Sequence, residues 1–180
     1  MQDQGVQVRS LVKRYEARYK ASRACEKLMD KKMIEIKANI WDSQFDGYWR
    51  VIPINTTLNK NGFLIMGAGL AKEAAERYIG LAKLWGSYYS LKPETLLQIF
   101  YAKKLLGLPT KYHWKDRSSL ELIERILIEL QSFISVKDDS LGTICPQLGC
   151  GLGGLDWKSQ VKPLVEKYFK NADNFIVVNL

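Results

Sequence analysis

The chain has 180 residues, just above the usual size of a single domain, so we expect one domain, with two independently folding halves as the alternative. Apolar residues make up 47% and charged residues 26%, which excludes collagen-like, low-complexity and wholly disordered chains. No apolar run reaches the roughly 18 residues that a membrane helix needs, and the polar N-terminus does not resemble a signal peptide, so we expect a cytoplasmic protein. Three cysteines without a CxxC pair and a single histidine, His113, predict neither a disulfide framework nor a metal site.

The net charge of +8 is concentrated at the N-terminus, because residues 1–32 carry nine basic and four acidic side chains, a charge of +5. Such an arm can attract a polyanion through contacts with its phosphates. The same segment is also typical of an amphipathic helix that docks on the rest of the chain, and its apolar positions favour docking. These positions are Val8, Leu11, Val12, Tyr15, Tyr19 and Leu28. We therefore expect a basic helical extension over residues 1–32 and a separate domain over residues 33–180.

From Met33 onward, short apolar runs alternate with segments of helical periodicity. Met33–Ala38 and Trp49–Ile54 are predicted strands, and Pro53 indicates that the second strand ends there or lies at a sheet edge. The remaining predicted elements are a helix over Leu70–Tyr78, strands over Leu96–Tyr101 and Leu105–Pro109, a helix from Ser118 or Ser119, a strand over Leu141–Cys145, a helix over Asp156–Phe169 and a strand over Phe175–Leu180. This alternation predicts an α/β fold, a three-layer α/β/α sandwich around a mixed, mainly parallel sheet.

Two glycine clusters lie between a predicted strand and a predicted helix. Three glycines fall in Gly62–Gly69 and four in Gly149–Gly154. Glycines also serve tight turns and helix packing, but two clusters in this context favour a site for a diphosphate, since free amides at helix N-termini attract anions. The second cluster formally matches GxGxxG. A dinucleotide-binding fold is nevertheless disfavoured, because only one helix and one strand follow it, and no GK[ST] completes a P-loop.

Four motifs, in order along the chain, resemble those of the macrodomains, modules that bind ADP-ribose. They are Ile52-Pro-Ile-Asn, Met66-Gly-Ala-Gly-Leu-Ala, Leu108-Pro-Thr-Lys-Tyr-His-Trp and Pro146-Gln-Leu-Gly-Cys-Gly-Leu-Gly-Gly-Leu-Asp-Trp. The resemblance covers residues 33–180. It implies a sheet between helical layers with an ADP-ribose cleft at the carboxyl edge of the sheet, and it implies no cofactor.

The resemblance also implies roles for particular residues. Asn55 would face the distal ribose, while Asn39 and Ile40 stand where many macrodomains have an aspartate that binds the adenine amino group. The ligand loops would be formed by Gly67, Ala68, Gly69, Leu70 and Ala71, and by Gly149, Cys150, Gly151, Leu152, Gly153, Gly154 and Leu155. Cys150 would contribute backbone rather than act as a nucleophile, because no base is recognisable beside it in the sequence.

Within the family, the motif around Lys111 most resembles the antitoxins that remove ADP-ribose from DNA bases and the related hydrolases that release it from protein. Both have a lysine at this position, and an amine can attack the anomeric carbon of the distal ribose. The protein-directed hydrolases have an aspartate where this chain has Gly153. Asp156 is nearby but is favoured as a helix N-cap. The resemblance therefore favours a DNA-directed ADP-ribosyl glycohydrolase with Lys111 as its catalytic residue.

Other functions remain open at this stage. The chain could be a reader module that binds ADP-ribosylated partners without turnover, or a phosphatase or deacetylase of free ADP-ribose derivatives. Residues 112–117 interleave aromatic and basic side chains, a pattern that suits stacking on an unpaired base but also suits a packed loop. ADP-ribose or an ADP-ribosylated macromolecule is the expected partner, nucleic acid and a toxin are further candidates, and no membrane is expected.

Overall fold

The computed structural model describes residues 33–136, 142–172 and 174–179. The predicted N-terminal extension over residues 1–32 lies outside these ranges, so the predicted division of the chain at residue 32 stays a prediction. In the described ranges, no helix is long and apolar enough to cross a membrane.

A six-stranded sheet forms the middle layer of the described residues. Its strands are β1 (Ile34–Lys37), β2 (Trp49–Asn55), β3 (Gln98–Phe100), β4 (Leu105–Lys111), β5 (Thr143–Pro146) and β6 (Phe175–Asn179). The spatial order is β1-β6-β5-β2-β4-β3. Every pairing is parallel except that of β3 with β4. β2 and β4 consist almost entirely of buried residues, as expected for parallel strands covered on both faces.

Four α-helices accompany the sheet in the described ranges: α1 (Gly69–Arg77), α2 (Leu81–Leu91), α3 (Leu120–Val136) and α4 (Lys162–Phe169). The hydroxyl of Ser119 accepts the Leu122 backbone N–H at 3.3 Å just before α3 begins. A π-helical turn over Trp157–Val161 leads into α4, and the Asp156 carboxylate accepts the Ser159 backbone N–H at 2.7 Å. The predicted N-cap role of Asp156 is therefore confirmed.

The helices cover both faces of the sheet, which confirms the predicted three-layer α/β/α fold. The apolar faces of α3 and α4 pack against Val51, Leu106 and Val177 on one side. The helices α1 and α2 pack against Ile52 and Ile54 on the other side. Successive residues of a strand point to opposite faces of the sheet, so adjacent residues of β2 belong to the hydrophobic cores on opposite sides.

Pro53 does not lie in an edge strand, so that alternative is wrong: β2 lies between β5 and β4 and ends at Asn55, two residues after Pro53. The backbone N–H of Trp49 points toward β5, where it reaches the Gly142 carbonyl, and that of Arg50 points toward β4. By alternation, the nitrogen of Pro53 faces β5. Because β5 pairs with β2 only at Trp49 and Arg50, the proline interrupts no bond of that ladder.

The sequence reasoning also misses α2. Leu81, Trp85 and Tyr89 recur every four residues and are all buried, a helical signal that precedes the predicted strands. Gly86 breaks the apparent pattern in the middle of this helix. A Cβ atom there would lie 2.2 Å from the Gly62 carbonyl oxygen, so the glycine allows α2 to pack directly on the loop before α1.

Candidate functional site

A cavity of about 910 Å³ opens at the carboxyl edge of the sheet. Its lining includes the ends of four parallel strands, at Asn55, Lys111, Pro146 and Asn179. Open α/β sheets bind ligands at this edge, and the volume lies in the range of about 300–1,000 Å³ typical of small-molecule sites. The cavity is therefore large enough for a nucleotide-sized ligand.

One wall of the cavity is the first loop, residues 65–71, which leads into α1. Gly67, Ala68, Gly69, Leu70 and Ala71 all line the cavity, as the resemblance predicts. The helix begins at Gly69, which has a φ of 54°, and Ala68 provides no side-chain cap. Its first turn also contains no acidic residue. The backbone amides of this turn are thus left for an anion in the cavity.

Asn55 holds the first loop in place. Its side chain is 7% exposed, donates to the Ile65 carbonyl at 2.8 Å and accepts the Thr57 N–H at 2.9 Å. The residue lines the cavity as predicted, but both ends of its amide already have backbone partners. Asn55 therefore shapes the path of the chain between β2 and the first loop.

The opposite wall is the second loop, residues 147–156, whose glycines divide into two kinds. A Cβ atom at Gly153 would lie 2.1 Å from the Ser118 hydroxyl oxygen and 2.4 Å from the Gly149 carbonyl oxygen. A Cβ atom at Gly151 would meet nothing within 4 Å. Gly153 is consequently required by packing, whereas Gly151, which lines the cavity, has open space where a Cβ atom would lie.

The side chain of Leu152, in the second loop, lies close to the first loop at Gly69. This side chain is 76% exposed, and its Cδ1 atom lies 4.0 Å from the position of a Cβ atom on Gly69. An exposed leucine between two glycine loops gives the cavity an apolar contact surface beside its backbone amides. The two predicted ligand loops thus face each other over a single cavity.

Lys111 ends β4 and lines the cavity between the loops. The register of β2 against β4 shifts between Ile54 and Asn55, so that Asn55 pairs with Lys111. The Lys111 ammonium donates to the Asp116 backbone carbonyl at 3.0 Å. In the described part of the chain, no carboxylate forms an ion pair with it. The structure thus brings together the predicted catalytic lysine and both predicted ligand loops.

Residues 112–117 form the rim next to Lys111. Trp114 and Lys115 line the cavity, whereas Tyr112, His113 and Arg117 do not. Tyr112 instead accepts a hydrogen bond from Arg125 at 3.3 Å, and Arg117 donates to the Gly154 carbonyl at 2.7 Å. Arg117 therefore ties the rim to the second loop.

Cys150 lines the cavity, yet the local chemistry does not make it a nucleophile. Its thiol donates to the Leu148 carbonyl at 3.2 Å. Burial, with a smaller contribution from the Asp156 carboxylate, raises the pKa of Cys150 to about 11. The reactive thiolate is accordingly scarce at neutral pH.

Some predicted site residues lie away from the cavity lining. Asn39 is exposed, and its side chain closes a turn by accepting the Trp41 N–H at 2.9 Å. Ile40 is buried in the core, where its carbonyl accepts the Arg50 Nε–H at 3.0 Å. Gly154 and Leu155 also stand outside the lining. Roles for these four residues in ligand binding stay predictions.

The cavity also includes residues that the sequence reasoning does not single out. These are Pro53, Ile54, Ile65, Thr110, Ser118, Gln147, Val178 and Asn179, besides Pro146 at the end of β5. Ser118 is 8% exposed, and its hydroxyl oxygen has no hydrogen-bond partner among the described residues. The strand ends could have been found from topology, since the carboxyl ends of parallel strands converge.

No family model matches the chain, but curated proteins are similar to it over part of its length. It is 32% identical over 143 residues to a DNA ADP-ribosyl transferase-DNA ADP-ribosyl glycohydrolase fusion protein of Thermosipho africanus, covering 65% of this chain and 36% of that protein. It is 28% identical over 118 residues to a DNA ADP-ribosyl glycohydrolase of Mycobacterium tuberculosis, covering 61% and 33%. The chain thus spans about a third of the length of these curated relatives.

Solved structures show the same fold. The macrodomain of Mycobacterium tuberculosis DarG superposes with a TM-score of 0.66 at 21% identity, over 82% of this chain and 99% of that one. Thermosipho africanus DarTG, solved in complex with ADP-ribose, superposes with a TM-score of 0.61 at 25% identity, over 77% and 40%. The chain therefore has the macrodomain fold, as the resemblance of its motifs predicts. Within that fold it is similar to the DarG branch.

Proposed function

We propose that this macrodomain binds ADP-ribose in the cavity and removes it from modified DNA, with Lys111 as the nucleophile. The observation that carries the proposal is the position of Lys111, between two glycine loops that converge on one cavity. The names of the curated relatives, DNA ADP-ribosyl glycohydrolases, support the same activity.

The loops suit the diphosphate of ADP-ribose from both sides. The uncapped first turn of α1 offers backbone N–H groups and the positive end of the helix dipole. Across the cavity, Gly151 carries no side chain that would keep a phosphate from the backbone. With the diphosphate held between the loops, the distal ribose is directed toward the strand ends at Asn55 and Lys111.

The lysine can then act in two steps. In its neutral amine form, Lys111 attacks the anomeric carbon of the distal ribose, a carbon–nitrogen bond forms, and the bond from that carbon to the DNA base breaks. The bonding electrons leave with the base, which takes up a proton. Water then adds to the anomeric carbon of the adduct, which releases ADP-ribose and returns the free amine.

The packing around Gly153 favours DNA over protein as the substrate. In the protein-directed hydrolases that this chain resembles, an aspartate stands at this position. Here a Cβ atom would lie 2.1 Å from the Ser118 hydroxyl and 2.4 Å from a backbone oxygen, so no side chain fits. The carboxylate of the protein-directed enzymes therefore has no counterpart at position 153.

A substrate panel tests the proposal. The protein is incubated with an ADP-ribosylated single-stranded oligonucleotide, an ADP-ribosylated protein and a small ADP-ribose ester, and released ADP-ribose is measured. We expect release from the oligonucleotide. Lys111→Ala should abolish this release while retaining ADP-ribose binding, because a nucleophile stabilises the transition state more than the bound ground state. Lys103→Ala, an exposed lysine before the amino end of β4, is the matched control.

The alternatives give different results in the same panel. Binding without release from any substrate would establish a reader module. Release from the ester alone would establish an enzyme of free ADP-ribose derivatives. Full activity in Lys111→Ala would remove this lysine from the mechanism.

We also propose a transferase as the partner and the cytoplasm as the location. The Thermosipho relative joins a transferase and a glycohydrolase in one protein. A DNA-modifying transferase would supply the substrate that this chain consumes.

A further inference from the structure

Trp114 is the most exposed of the five tryptophans in the chain. Its exposed fraction is 46%, while Trp49, Trp85 and Trp157 are buried and Trp41 is half-buried. Large aromatic side chains normally bury most of their surface. Trp114 instead lies on the cavity lining, three residues after Lys111. A half-exposed indole on the lining of a ligand cavity is suited to a flat, apolar ring, although the His113 ring lies 5.8 Å from it at an angle of 31°.

The segment that carries Trp114 is firmly attached to the sheet. The backbone N–H of Trp114 donates to the Thr57 hydroxyl at 3.2 Å. The Thr56 and Thr57 hydroxyls both donate to the Tyr112 carbonyl, at 3.0 and 3.1 Å. These bonds connect the rim to the chain just after β2. The indole is therefore presented from an anchored loop, which lowers the entropy cost of stacking on it.

Positive charge accompanies the exposed ring. The Lys115 ammonium lies over one face of the Trp114 ring, 5.0 Å from its centre, which leaves the other face for a base, and Lys115 also lines the cavity. Arg117 and Arg125 add two further cations nearby along the chain, and Asp116, Glu121 and Glu124 are the acidic residues of this stretch, of which Glu124 is paired with Lys167. An aromatic plane beside cations is the combination that binds an unpaired base together with its phosphate.

We infer that Trp114 stacks on the DNA base that carries the ADP-ribose and that Lys115 contacts the adjoining phosphate. The inference rests on the proposed function, in which the distal ribose lies at Lys111. The base attached to that ribose then lies at the rim, next to the indole. Trp114 is thus a positioning residue that selects a modified nucleotide over other carriers of ADP-ribose.

Selectivity, rather than activity alone, tests the inference. The KM and kcat for release from an ADP-ribosylated single-stranded oligonucleotide, and the Kd of free ADP-ribose, are measured for wild type, Trp114→Ala and Trp114→Phe. Stacking on one base contributes about 1–3 kcal/mol, so the alanine variant should raise the KM about 5-fold to 150-fold. The factor by which the Kd of free ADP-ribose rises should be at least five times smaller than the factor by which the KM rises. Trp114→Phe, which keeps a stacking ring, should recover most of the loss.

Two further variants sharpen the result. Lys115→Ala should flatten the dependence of log affinity for the oligonucleotide on log salt by about 1, the effect of one lost phosphate contact. Tyr88→Ala, which removes an exposed aromatic ring on α2, is the control for nonspecific effects on the oligonucleotide. Melting temperatures of all variants are compared with that of wild type, and Trp114→Phe provides the test if the alanine variant does not fold.

Several outcomes would overturn the inference. Equal losses for the oligonucleotide and for ADP-ribose would show that Trp114 is only a wall of the cavity. An unchanged KM in Trp114→Ala would exclude stacking. Both results would leave the proposed function intact. A wild-type protein that binds no ADP-ribose would instead refute the proposed function and this inference together.

Discussion

Gly151 and Gly153 lie in the same loop, but alanine should affect them in opposite ways. At Gly153, the new Cβ atom would lie 2.1 Å from the Ser118 hydroxyl oxygen and 2.4 Å from the Gly149 carbonyl oxygen. The second contact is with backbone, so a rotamer change alone cannot relieve the overlap. At Gly151, the same atom would meet nothing within 4 Å and the backbone has no positive φ. The two variants therefore separate the packing of the fold from the binding of the ligand.

The magnitudes follow from these contacts. Overpacking costs roughly 1–3 kcal/mol, and each kcal/mol shifts the melting temperature of a domain of this size by about 2–4 °C. Gly153→Ala should thus melt about 2–12 °C lower than wild type. Gly151→Ala should be neutral or stabilising by up to about 1 kcal/mol, because alanine restricts the unfolded chain. The added methyl group would lie in a loop that lines the cavity, however, and we expect it to weaken ADP-ribose binding at least tenfold.

The assay is thermal melting with and without ADP-ribose, together with calorimetric titration of the ligand. Wild type should gain melting temperature as ligand is added, by mass action. Gly151→Ala should need at least tenfold more ADP-ribose than wild type for the same gain in melting temperature. A Gly151→Ala protein that binds ADP-ribose with wild-type affinity would refute the assignment of this loop to the diphosphate. Equal melting temperatures for the two variants would refute the packing argument.

Three further predictions concern stability and charge. Ser118→Ala should raise the free energy of unfolding of the ligand-free protein, measured in urea, because it removes a buried hydroxyl that has no hydrogen-bond partner among the described residues. A lower free energy of unfolding would show that this hydroxyl does have a hydrogen-bond partner. Hydrogen bonds from Ser159 lower the pKa of Asp156. The carboxylate therefore stabilises the fold at pH values above the ordinary aspartate pKa, and this stabilisation is lost as the pH falls through the lowered pKa. The stability difference between wild type and Asp156→Asn should accordingly shrink on acidification, and a difference independent of pH would contradict this linkage. Removal of residues 1–32 should lower the melting temperature and leave the salt dependence of DNA binding unchanged, as expected for a docked helix, whereas a smaller salt slope at constant melting temperature would identify a nucleic-acid arm.

Local patterns in the sequence predicted much of the fold and the position of the ligand loops. The run of apolar residues in β2 and the stripe of α3 each follow from a few neighbouring residues, and the loop at Gly149–Gly154 lies where a strand gives way to a helix. The predictions failed where contacts between residues distant in the sequence determine the structure. Pro53 is tolerated inside the sheet because β5 is short, and Gly86 is tolerated in a helix because the Gly62 carbonyl lies against it.

The residues of the candidate site likewise divide into those that short motifs predict and those that only the fold brings to the cavity. Lys111 and the glycines could be predicted because each belongs to a short motif. Ser118, Val178 and Asn179 come to the cavity only through the order of the strands and the packing of Gly153. In the same way, nothing local in the sequence shows that Asn39 closes a turn and that Ile40 is buried in the core rather than lining the cavity.

The contact between Gly153 and Ser118 also constrains how this chain could change its specificity over evolution. A carboxylate that arose at position 153 by one substitution would overpack the second loop, because the Ser118 hydroxyl and the Gly149 carbonyl already occupy the space of its Cβ atom. Replacement of Ser118 would clear only the first obstacle, and the path of the second loop would have to shift as well. An intermediate that gains a side chain at position 153 first would carry the cost of an overpacked loop. A route from this site to one with an aspartate at 153 therefore requires coupled mutations, in which the serine and the loop change before or together with the glycine.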